Sequence, residues 1–137
     1  MRGLDDVISE AVRCFLDEPR FAVLATVGAD GTPQQTVMWY ELRGNTIMMN
    51  TAEGRVKASN LRHDPRVSIC VEDGYRYVTL TGRAELIDDQ EIAQADIAAL
   101  VRRYHGPDAG EDALSQYRQQ KRITLLISID RVVAFGL

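Results

Sequence analysis

The stretch RYVTLTGRAELI, Arg76 to Ile87, decides the architecture. Its β-branched and aromatic residues predict a strand longer than most. Gly82, near the middle, predicts a bulge or bend, because a residue without a Cβ lets a strand turn from one face of a sheet to the next. Just upstream, Asp73 and Gly74 read as a hairpin turn from the apolar strand RVSICVE (Arg66 to Glu72), which follows Pro65. Downstream, Asp88 to about Gln120 has helical spacing interrupted at HGPDAG (His105 to Gly110), and RITLLISIDRVVAF (Arg122 to Phe135) closes the pattern as another long strand.

The N-terminal half follows the same logic. Leu4, Val7, Ile8, Ala11, Val12, Phe15 and Leu16 repeat at helical spacing with Asp5, Asp6, Glu10 and Arg13 between them, which predicts an amphipathic helix ending before Pro19. FAVLATV (Phe21 to Val27), a turn at ADGTP (Ala29 to Pro33), QQTVMWYELR (Gln34 to Arg43), a turn at Gly44 and Asn45, and TIMMNT (Thr46 to Thr51) predict three strands in an antiparallel meander. Six strands without β-α-β alternation predict a mainly β fold with helices: a six-stranded antiparallel barrel, closed or nearly so, with helices at its ends. A two-sheet sandwich competes, but two long strands that each bend to serve two faces favour the barrel. Residues 1–137 are expected to form one domain.

Composition narrows the partners. A chain of 137 residues is short to enclose a large cofactor alone, which favours a site shared between subunits. Its net charge of −4 and pI near 5.1 give no support for nucleic-acid binding. Cys14 and Cys70 have no CxxC pattern and no paired histidine, so neither a disulfide framework nor a metal site is expected. Asp5 and Asp6 stand where a signal peptide needs a basic segment, and no apolar run is long enough to span a bilayer, so no membrane association and a cytoplasmic location are expected.

The chemistry concentrates in NTAEGRVKASNL, Asn50 to Leu61. An apolar strand ends, Gly54 turns the chain, and a helix begins with Arg55 and Lys57 beside it. The first N–H groups and the positive dipole end of such a helix point at the turn, and two cations there suit a phosphate. Residues two apart do not share a helix face, so both cations reach one anion only if Arg55 lies in the turn itself. Asn60, three residues after Lys57, shares its face. A plain solvated basic helix face is the competing explanation.

Protein acids, bases and nucleophiles are sparse. His63 and His105 sit in polar helix-end surroundings, no serine has a GxSxG context, and GADG lies in a hairpin rather than before a helix. No catalytic side chain is therefore assigned, and any reaction would be carried by a cofactor. Gln34, Gln35 and Thr36 offer hydrogen bonds to a heterocycle edge, while Met38, Trp39 and Tyr40 offer apolar and aromatic surface for a substrate. Tyr75 and Tyr77 flank Arg76 at the hairpin turn, where they suit a planar ligand or a partner subunit.

FAVLATVGADGTPQQTVMWYEL, NTAEGRVKASNLRHDPRVSICVEDG, YVTLTGRAELI and ITLLISIDRVVAFG together resemble the split β-barrel flavin and deazaflavin oxidoreductases related to pyridoxamine 5′-phosphate oxidase. Within them, Arg-x-Lys followed by Asn-Leu-Arg and Asp-Pro-Arg looks most like the branch that uses coenzyme F420. The resemblance implies a homodimer with its cofactor at the subunit interface and hydride transfer from the reduced deazaflavin to a small electrophile. It implies that Arg55 and Lys57 hold the phosphate, that Asn50, Thr51 and Asn60 assist, that Gln35, Thr36 and Val37 line the ring, and that Tyr75 and Tyr77 come from the partner. FMN is the alternative cofactor, and a flavin or haem carrier without turnover is the alternative function. Arg55 and Lys57 do not separate the two cofactors, whereas the acidic tail of the deazaflavin would favour added cations such as Arg62 or Arg66. Pyridoxamine phosphate oxidases carry a further C-terminal segment, and with the sequence running to Leu137 that activity is not expected.

Overall fold

The computed structural model describes residues 7–137. Along the chain lie α1 (Glu10–Asp17), β1 (Ala22–Val27), β2 (Pro33–Met38), β3 (Glu41–Arg43), β4 (Thr46–Ala52), α2 (Val56–His63), β5 (Arg66–Asp73), β6 (Arg76–Ile87), α3 (Gln90–His105), α4 (Glu111–Arg118) and β7 (Arg122–Phe135). The first helix opens at Ser9, whose hydroxyl accepts the Val12 N–H at 3.2 Å and so supplies the cap. Its buried side carries Val12, Phe15 and Leu16; of the residues assigned to it above, Leu4, Asp5 and Asp6 lie outside the described residues.

The strands form one antiparallel sheet in the order β2-β1-β5-β6-β7-β4-β3. It has seven strands rather than six, and it is open rather than closed. Both corrections trace to one place. The expected strand from Gln34 to Arg43 breaks at Trp39 and Tyr40, so β2 and β3 end up on opposite edges of the sheet and the meander does not form.

Side chains of α3 cause the break. The Tyr40 N–H donates to the Tyr104 hydroxyl at 3.0 Å, and the Tyr40 carbonyl accepts from Arg103 Nε at 2.9 Å, so this backbone is satisfied by a helix instead of a neighbouring strand. Trp39 stacks on Tyr104, with ring centroids 5.1 Å apart. The core lies inside the curl, where Leu24, Ile47, Met49, Ile69, Leu80, Ile123 and Leu125 meet Leu16 of α1 and Leu61 of α2. β4 is buried on both sides: Ile47 and Met49 face that core, and Met48 packs with Ile97 and Leu100 beneath α3.

β6 pairs with β5 on one side and β7 on the other, and its register against β7 shifts between Thr81 and Gly82, as the sequence predicts. A Cβ on Gly82 would overlap the carbonyl oxygen of Ser128, so the close approach of β6 and β7 depends on glycine there.

Tyr40, expected in a substrate pocket, is 0% exposed and belongs to the core, where its hydroxyl donates to the Glu18 carbonyl at 3.0 Å. Burial first, and then Tyr104, push its pKa up to about 12. A phenol whose pKa is higher folded than unfolded keeps its proton in the fold, so stability is unaffected below about pH 10 and is lost as pH rises toward 12. The loss reaches about 2.7 kcal/mol for a two-unit shift. Urea unfolding between pH 8 and 12 should show this decline, and Tyr40→Phe should flatten it.

Candidate functional site

Gly54, at φ 91°, makes the turn between β4 and α2. Arg55 takes the N-cap position in extended backbone and no side chain caps the helix, so the first turn of α2 keeps donors for an external acceptor. Arg55 thus stands in the turn and Lys57 on the helix, the arrangement that lets both address one anion.

Lys57 is only 8% exposed, yet among the described residues its ammonium meets no carboxylate and no hydrogen-bond acceptor. Burial, then Arg55 and Arg122, hold its pKa below the ordinary lysine value. Glu53, the acid beside the turn, is engaged elsewhere: both its oxygens accept from Arg62 at 2.7 Å. A half-desolvated cation facing two more cations is costly unless an anion joins them. Arg66 is bracketed in the same way by Asp64, 2.7 Å away. Arg62 and Arg66, the cations expected to favour an acidic tail, each carry a surface ion pair.

Arg122 is the functional candidate that the sequence reading missed. It opens β7 opposite Ala52 and is 7% exposed. Its Nε donates to Asn50 Oδ1 at 2.9 Å and its Nη1 to Gln120 Oε1 at 2.6 Å, with the guanidinium 5.0 Å from the Tyr117 ring. Burial pushes its pKa down, and no carboxylate neutralises it among the described residues. Asp96, the buried acid on this side, is held by Arg43 at 2.8 Å and by the Thr124 hydroxyl at 2.7 Å.

Asn50 is what orders Arg122. Its amide also donates to the Ala93 carbonyl at 2.9 Å, joining β4, β7 and α3 at one point. Asn50→Ala leaves a buried charged donor and a carbonyl unpaired, which should cost about 2 kcal/mol in urea unfolding. Because Arg122 is the group left stranded, adding Arg122→Met should recover part of that loss.

The groove above Arg122 has a volume of about 180 Å³ and is lined by Val37, Met38, Trp39, Asn50, Ile97, Leu100, Tyr117 and Arg122. A larger cavity of about 330 Å³ between α3 and α4 shares Ile97 and Tyr117 with it. Met38 and Trp39 thus line a groove together, while Tyr40 does not.

Asn60 of α2 donates to the Thr26 hydroxyl at 3.1 Å, which donates to Gln34 Oε1 at 3.3 Å, and Gln34 Nε2 donates to Thr36 at 3.0 Å. This relay ties the helix to β2. It also fixes the faces of that strand, since Thr36 sits with Gln34 whereas Gln35 and Val37 alternate outward, both exposed. Thr51 is buried at the end of β4. Tyr75, 91% exposed, and Tyr77, stacked on Phe135, stand at the far end of β5. That strand separates them from α2 by roughly 24 Å at ~3.4 Å per residue, so one chain does not bring the two groups together.

An open antiparallel sheet flanked by helices, with a cation-flanked helix start at one end, defines the class of fold. The family model described as pyridoxamine 5′-phosphate oxidase matches residues 8–133, and the chain belongs to that family. A curated pyridoxine/pyridoxamine 5′-phosphate oxidase from Kineococcus radiotolerans is 33% identical over 85 residues, covering 61% of this chain; the chain spans 38% of that protein's length. A solved F420 reductase is 27% identical with a TM-score of 0.76, covering 92% of this chain and 98% of its own. The structure of a conserved hypothetical protein from Mycobacterium tuberculosis is 34% identical with a TM-score of 0.82, covering 99% of this chain and 89% of its own.

Proposed function

We propose that the chain is a coenzyme F420-dependent oxidoreductase that passes a hydride from the reduced deazaflavin to a small electrophilic substrate. The observation that carries this reading is Lys57, a mostly buried cation beside Arg55 and an uncapped helix start, with no acid among the described residues to neutralise it. The likeness to an F420 reductase over most of both chains supports the choice of the deazaflavin over FMN.

When bound, the deazaflavin supplies the hydride. Arg55, Lys57 and the first amides of α2 would hold its phosphate. The Asn60–Thr26–Gln34–Thr36 relay keeps α2 in fixed relation to β2, whose residues would line the ring. Met38 and Trp39, which line the groove, would exclude water from the reacting face.

The site is completed in a homodimer. The outer face of the sheet carries exposed Val37, Val133 and Phe135, and a second copy would bury them while bringing Tyr77 and Tyr75, of the β5–β6 turn, to its partner's cofactor. Parallel titration of the purified protein with the deazaflavin, FMN and haem, followed by quenching or spectral shift, tests the reading. Tightest binding of the deazaflavin, with oxidation of its reduced form on adding an electron-poor acceptor, supports it. Preference for FMN or haem, or binding without turnover, overturns it.

A further inference from the structure

Arg122 does more than complete a patch of positive charge. Two of its nitrogens are fixed by neutral acceptors, Asn50 and Gln120, which orient the guanidinium without neutralising it. Nη2 has no acceptor among the described residues, although the side chain is more than nine-tenths buried and lines the groove. Asp96, the one buried acid among the described residues, is committed to Arg43. The groove walls are flat and apolar: Trp39, backed by its stack on Tyr104, and the Tyr117 ring, with Val37 and Leu100 between. At about 180 Å³ the groove takes one small ring or a short conjugated chain, not a nucleotide.

We propose that this groove is a substrate subsite for a flat, unsaturated or aromatic monocarboxylate, whose carboxylate is held by Arg122 Nη2 and whose body lies against Trp39. A single guanidinium with one free edge suits a carboxylate, whereas Arg55, Lys57 and the helix amides form the richer donor set a phosphate needs. As a statement about substrate it rests on the function proposed above; as a binding site it stands without it.

Trp39 is the only tryptophan of the chain, so its fluorescence reports the groove directly. Cofactor-free protein is titrated with cinnamate and with cinnamide, its neutral analogue. The expected result is a saturable change in Trp39 emission with cinnamate, and at least tenfold weaker binding of cinnamide. Arg122→Met should weaken cinnamate tenfold or more and erase the preference for the acid, Arg122→Lys should retain part of it, and Arg102→Met, which removes an exposed cation of α3, should stay within threefold of the parent. Absence of saturable binding, equal affinity for acid and amide in the unaltered protein, or an equal loss in Arg102→Met and Arg122→Met would overturn the proposal. The comparison of acid with amide needs no variant, so a misfolded Arg122→Met does not obscure the outcome. Because no cofactor is present, failure here is distinct from failure of the deazaflavin titration.

Discussion

Gly82→Ala is expected to lower stability by about 3 kcal/mol or more. The added methyl would overlap a backbone carbonyl, that of Ser128, rather than the movable end of a side chain, so relief requires β6 and β7 to separate where their register shifts. These two strands share the longest pairing in the sheet, from Tyr77 against Phe135 to Ile87 against Thr124. Gly110 supplies the control: it has open space around it and φ of −83°, so Gly110→Ala should change stability by less than about 1 kcal/mol. Urea unfolding of the two variants beside the parent makes the comparison. Similar midpoints would show that the bulge relaxes freely.

Lys57→Ala is expected to weaken cofactor binding about tenfold or more. One charge-assisted contact to a phosphate contributes about 1.5 to 3 kcal/mol, and each 1.4 kcal/mol is a factor of ten. Lys121, exposed just before β7, is the comparison, and Lys121→Ala should leave affinity nearly unchanged. The pH dependence has a definite sign. Burial, Arg55 and Arg122 hold the Lys57 pKa below 10.5, and a bound anion favours its protonated form. Affinity should therefore be flat at low pH and decline as pH rises through the pKa of the free protein, below 10.5. Fluorescence titration at several pH values checks this, and equal affinity of Lys57→Ala and parent for every flavin would remove the phosphate site.

The parts of the fold that could be read from the sequence are those set by near neighbours. The hairpin at Asp73 and Gly74, the helix after Gly54 and the irregularity at Gly82 follow from backbone geometry within a few residues. The break at Trp39 and Tyr40 does not. QQTVMWYELR alternates like one strand, and what divides it is a hydrogen bond from Tyr40 to Tyr104, 64 residues away, with Arg103 on the adjacent carbonyl. The same limit applies to the site. Arg55 and Lys57 announce themselves as a local pair. Arg122 opens an apolar strand and looks like a charged end, until β4 pairs with β7 and brings Asn50, 72 positions earlier, to its guanidinium.

The strand order also governs how this chain is made. Of the seven strands, β3 and β4 join the rest of the sheet only through β7, which is the last to be synthesised. On the ribosome, β1 and β2 can pair early, and β5 and β6 soon after, but the β3–β4 hairpin must wait with Met48 and Met49 uncovered. Docking of β7 joins both halves in one late step across long sequence separations, which slows folding.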